Sequence, residues 1–115
     1  MVTAHAPDFV DITEEVEAAL GRSGIRDGHV TVFSPETACP LLVQERESGL
    51  LVDIEQAMDR LRVLPGADRA ARVGSPSVVL PAVDGRLRLG MWQRVLLVEL
   101  ERGRRRSVTV QIVGE

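Results

Sequence analysis

The chain has no lysine and no tyrosine, and its 115 residues include one cysteine, one tryptophan and two histidines. Cys39 alone excludes an intrachain disulfide and a cysteine-rich zinc site. Its neighbours Ala38, Pro40 and Leu41 are apolar, so a buried packing role is expected of it rather than a reactive thiolate. His5 and His29 have no helical spacing to each other; solvated or hydrogen-bonded roles suit both, and zinc is not expected. No apolar run approaches the roughly 20 residues of a membrane-spanning helix. The opening MVTAHAPDF lacks the basic and then apolar pattern of a secretory signal. A cytoplasmic protein without a membrane partner is therefore expected.

The formal net charge of −3 argues against nucleic-acid binding, which needs an excess of cations along a surface. The 14 basic residues are all arginine, so each cation is a planar fork suited to carboxylate or phosphate. They concentrate at Arg102, Arg104, Arg105 and Arg106. That cluster reads either as a solvated turn guarding a sheet edge or as a phosphate contact.

A length of 115 residues makes one domain, 1–115. Asp8 to Asp11 reads as a first strand or entry segment, and Asp11 with Glu14 has the spacing of an N-cap and its returning carboxylate. Val16, Ala19 and Leu20 recur at helical intervals until Gly21 and Gly24. After Arg26-Asp27-Gly28, the segment HVTVF alternates as a strand, broken at Ser34-Pro35, and Ala38 to Glu45 follows as another. Ser48 is placed to cap a second helix with an apolar stripe of Leu51, Ile54, Met58 and Leu61, which Pro65-Gly66 ends. Leu64 to Ser77 reads as a long connection. From Gly74 to Glu115 the pattern is one antiparallel meander, turning at Asp84-Gly85 and again near Arg102-Gly103. In it Leu87, Leu89 and Met91 form one face, and Val108, Val110 and Ile112 another.

Three segments, SGIRDGHVTVFSP (Ser23 to Pro35), VDGRLRLGMWQ (Val83 to Gln93) and RRRSVTVQIVGE (Arg104 to Glu115), make the chain resemble the YjbQ family. The aspartate-glycine turn followed at fixed spacing by Gly90, Trp92 and Gln93 carries most of the likeness. The resemblance implies an α+β fold with two helices packed on a largely antiparallel sheet, a homotrimer with sites near subunit boundaries, and secondary thiamine-phosphate synthase activity. That reaction joins a pyrimidine methyl diphosphate to a thiazole phosphate with loss of pyrophosphate, which calls for cations at the leaving group.

The resemblance also implies a histidine metal site, with one histidine after the proline that closes the second strand and others in the loop before the meander. Here Glu36 stands at the first position. The segment Pro65 to Pro76 holds no histidine, and Asp68 lies near where one is implied. Glu36 and Asp68, with Glu45 a further candidate, offer oxygen donors that suit a hard divalent ion such as Mg²⁺, or are ordinary loop carboxylates. Glu45 and Gln93 are the candidate catalytic pair, with Glu45 as general base or as a structural strand-end carboxylate. Trp92, Arg86, Arg88, Arg104 and Arg106 are the candidate substrate contacts, and Trp92 reads equally as a core or interface anchor. Met91 and Arg94 put bulk where the family pattern has small residues. Two functions stay open: an enzyme acting on a phosphorylated small molecule through a remodelled site, and a catalytically inactive trimeric binding or assembly module.

Overall fold

The computed structural model describes residues 1–61 and 64–115. Strand β1 (Asp8–Asp11) leads into helix α1 (Thr13–Ser23), and β2 (Gly28–Phe33) and β3 (Leu41–Glu45) follow. Helices α2 (Ser48–Arg60) and α3 (Gly66–Val73) then precede β4 (Ser77–Val83), β5 (Arg86–Leu87), β6 (Gln93–Glu99) and β7 (Thr109–Gly114). The fold class is the expected α+β, with three helices where two were expected. The third lies inside the stretch read as a long connection.

The strands form two antiparallel sheets, of order β1-β6-β3 and β5-β4-β2-β7. The C-terminal third is therefore not one meander. Only β4 and β5 make a hairpin, while β6 crosses to the three-stranded sheet and β7 returns to pair with β2. The reason lies in Val95 to Leu100, a run apolar at every position but Glu99. A strand apolar on both faces is stable only with both faces covered. As the central strand of its sheet, β6 turns Val95 and Leu97 toward a core shared with Val30, Val32, Leu80, Ala82 and Leu87 of the other sheet, together with Val16 and Leu20 of α1. Its opposite face places Val98, and Leu100 just beyond it, in a second core with Phe9, Met58 and Ala70, flanked by Leu51 and Ile54 of α2. The result is a helical layer on a three-stranded sheet, which in turn faces a four-stranded sheet.

Local signals explain most boundaries. Helix α1 runs through Gly21 and stops at Gly24, whose φ of 73° is the left-handed C-cap conformation. Asp11 accepts from the Thr13 amide at 3.0 Å, while Glu14, expected to return to the cap, goes to Arg94 instead. The cap of α2 is Glu47 and not Ser48: its carboxylate accepts from the Gly49 and Leu50 amides, each at 2.8 Å. Strand β3 begins at Leu41, yet the Ala38 and Pro40 carbonyls still accept from the Leu100 and Val98 amides, so the expected earlier start reflects real pairing. Asp84 and Gly85, with φ of 54° and 78°, form the tight turn of the β4–β5 hairpin. β5 ends at Leu87, so Met91 leaves the face it was expected to share and is 85% exposed. Val108, Val110 and Ile112 do pack together against the first core.

No helix is long and apolar enough to cross a membrane among the described residues.

Candidate functional site

Register brings the candidate catalytic pair together. Antiparallel pairing of β3 with β6 sets Glu45 opposite Gln93 and Gln44 opposite Arg94. Gln93 Oε1 accepts from the Gly90 amide at 2.8 Å and so folds the Gly90-Met91-Trp92 loop back on the start of β6. The loop delivers Trp92 to the surface, 69% exposed. Together these elements open a groove of about 630 Å³ lined by Asp11, Glu45, Arg46, Glu47, Met91, Trp92 and Arg94.

Charge in the groove is mostly paired off. The Arg94 guanidinium reaches Asp11 Oδ2 at 2.7 Å and also bonds Glu14. Burial pushes the Asp11 carboxyl up, but the Arg94 bond and the Thr13 amide outweigh it and hold the group below its ordinary value. Glu47 is likewise held low by the two backbone amides that it caps. Glu45, by contrast, has no ion-pair partner among the described residues, and its side chain lies at the exposed end of β3. It is the carboxylate left free to meet a ligand.

The arginines expected to bind phosphate do not gather at this groove. Arg86 and Arg88 are exposed on and just after β5, and Arg104 is exposed before β7. Arg106 is only 4% exposed and belongs to the interior. Its Nε and one terminal nitrogen bond the two oxygens of Glu99 at 2.7 and 2.8 Å, and its other terminal nitrogen bonds Glu36 at 2.9 Å. The Thr3 hydroxyl donates to Glu99 at 2.7 Å and the Cys39 thiol at 3.4 Å. Burial pushes the Glu99 carboxyl up, yet these donors bring it down to about 2. Burial, and then the neighbouring Glu99, push the Cys39 thiol up to about 12, in keeping with the packing role expected of it.

The candidate metal ligands are not joined. Glu36 gives one oxygen to Arg106 and the other to the Ser107 amide, and Arg106 holds it below its ordinary value. It faces a cleft of about 310 Å³ beside Ala70, Ala71 and Gly74. Asp68 sits exposed in the first turn of α3 and does not line that cleft. No group of three or more histidine, cysteine, aspartate or glutamate side chains converges among the described residues. His5 and His29 are exposed, His29 within β2.

Sequence reasoning singled out neither Arg46 nor Glu47 as groove residues, nor Thr3 and Glu99 as an interior pair. For Glu99 the signal was present, since a carboxylate inside VLLVEL needs a buried partner. For Arg46 and Glu47 there was none, because only the sheet register places them beside Trp92.

Residues 1–115 match the family model described as UPF0047 protein YjbQ-like. The chain is similar to a UPF0047 protein of Archaeoglobus fulgidus, 38% identical with 95% of this chain and 94% of the relative covered. A Methanothermobacter thermautotrophicus UPF0047 protein is 32% identical over 98% of this chain and 87% of its own. Among solved structures, a YjbQ/UPF0047 protein of Clostridium acetobutylicum superposes with a TM-score of 0.87 at 30% identity, covering 98% and 96% of the two chains. A Sulfolobus solfataricus protein of unknown function gives 0.86 at 28% identity, covering 100% and 93%. With the family model matched from end to end and relatives aligned over nearly their full lengths, this chain belongs to the YjbQ-like UPF0047 family.

Proposed function

We propose that the protein binds and transforms a small phosphorylated molecule in the groove at the end of β3, as one subunit of a homotrimer. The observation that carries this reading is the meeting of Glu45 and Trp92 at one open groove, brought about by the β3–β6 register that sets Glu45 opposite Gln93. Trp92 supplies a flat apolar surface, Gln93 braces the loop that presents it, and Glu45 is the unpaired carboxylate able to accept a proton or orient a donor. The reaction implied by the family likeness is group transfer of the thiamine-phosphate synthase type, with diphosphate leaving. Arg86 and Arg88 are exposed outside the groove lining, so they would meet that leaving group only where it extends beyond the groove. Glu36 is already spent on Arg106 and Ser107, so the donor set does not fit a resident divalent ion such as Mg²⁺, and no step runs through one.

The test is calorimetric titration of the protein with a panel of phosphate monoesters and diphosphates. Saturable binding that Glu45→Gln and Trp92→Ala each weaken by about tenfold or more supports the reading. Binding unchanged in both variants overturns it.

A second reading, a trimeric module without catalysis, is favoured by the outer face of the four-stranded sheet. There Val79, Val83, Val113 and Phe33 are all exposed on one face, the kind of apolar surface that contact with another copy would cover. Trimers that bind none of the panel select it.

A further inference from the structure

The lining of the groove bears on the charge of what lies on Trp92, an inference that rests on the function proposed above. Three carboxylates, Asp11, Glu45 and Glu47, line the groove against two guanidiniums, Arg46 and Arg94. Glu14, bonded to Arg94 from α1, adds a fourth carboxylate. The lining is negative even with Arg46 counted as free. Apart from Arg46, the features by which this groove would attract an anion are already occupied from within. Arg94 is held by Asp11 and Glu14, and the amides at the start of α2 are capped by Glu47. What remains unspent among the described residues is the Trp92 ring, the Met91 thioether, the Glu45 carboxylate and the Arg46 guanidinium, which lies next to Glu45 in sequence and does not outweigh the negative lining.

An exposed indole face attracts a cation through its quadrupole, and an unpaired carboxylate in the same groove adds Coulombic attraction. An anion in the same place meets the electron-rich face and the negative lining together. We propose that the groove takes a positively charged organic group, an ammonium or amidinium, laid over Trp92 with Glu45 as its counter-ion. Any phosphate on the same molecule then lies away from the indole. Met91 beside the ring supplies a polarizable wall that adapts to the ligand's shape.

Trp92 is the chain's single tryptophan, and there is no tyrosine, so intrinsic fluorescence reports this groove directly. The full-length protein is titrated at fixed ionic strength with benzamidinium, neutral benzamide and anionic benzoate, three probes of nearly one shape. Benzamidinium is expected to quench saturably, with an apparent affinity at least about tenfold above that of the other two. Glu45→Gln is expected to remove that preference while leaving the benzamide response unchanged, a result that general unfolding would not produce. Benzoate binding as well as benzamidinium, or a preference that survives Glu45→Gln, overturns the cation assignment and leaves the groove a ligand site. If no probe of any charge perturbs Trp92, the cation assignment falls, while the groove as a phosphate-ester site is decided separately by the calorimetric titration.

Discussion

Glu99 sits fully buried in the most apolar strand of the protein, and the cost of placing a carboxylate there falls on Arg106. The bidentate pairing, with Thr3 and Cys39 as further donors, ties the N-terminal segment, β6 and the approach to β7 into one interior network. Removing one partner strands a buried charge, so Arg106→Met is expected to lower unfolding free energy by about 3–5 kcal/mol, measured by urea denaturation at neutral pH. The pH dependence follows in sign. The Glu99 carboxyl lies at about 2 in the folded protein against an ordinary value of 4.5. Its stabilising contribution is therefore fully present above 4.5 and is lost as pH falls from there through about 2. Denaturation midpoints should drop across that window, and Glu99→Gln should flatten the part of the drop due to this group. Cys39, fully buried and with its thiol pushed up to about 12, should resist a thiol-reactive disulfide reagent at pH 8 in the native protein and react promptly in denaturant.

Among the elements, the β4–β5 hairpin shows how far turn chemistry reaches. The Asp84-Gly85 reversal is legible because only a pair tolerating positive φ closes so short a loop. Gly85→Ala keeps the packing but forces a Cβ into φ of 78°, and is expected to cost about 1 kcal/mol or somewhat more in thermal unfolding. Gly74 is constrained by space instead: a Cβ there would stand 2.3 Å from the Leu41 carbonyl oxygen, where the chain leaves α3 and bridges Ser75 to Leu41. Helix α3 escaped the sequence reading because its eight residues, GADRAARV, are few and on balance polar and begin at the helix-breaking Pro65-Gly66, although its apolar residues do share one face. Packing of Ala70 and Val73 onto the second core makes it a helix. The cap of α2 shifted by one residue because Glu47 reaches two amides at once.

Over the whole molecule, the two sheets are covered unequally. The three-stranded sheet has the other sheet on one face and α2 with α3 on the other, whereas among the described residues no layer covers the outer face of the four-stranded sheet, and Val79 is 62% exposed there. The proposed homotrimer is checked by light scattering coupled to size exclusion, with a mass three times 12.6 kDa expected. If this face carries the contact, Val79→Arg should shift the mass toward the single chain while leaving far-ultraviolet circular dichroism unchanged, because a charge is costly to bury at an interface but free in water. A monomer mass for the unaltered protein across micromolar concentrations would remove the trimer.

Residue spacing was enough to reveal the strands of period two, both long helices, the Asp84-Gly85 turn, the packing role of Cys39 and the family likeness carried by Gly90, Trp92 and Gln93. Those properties are local: each depends on side-chain spacing or on backbone conformations that few residues allow. Long-range packing is what takes β6 out of the apparent meander and into the centre of another sheet. It also sent Arg106 inward to Glu99, and let Arg46 and Glu47 join Glu45 and Trp92 at one groove. Such outcomes depend on which distant strand covers which face, and a chain's spacing pattern records that a face must be buried without recording the partner that buries it.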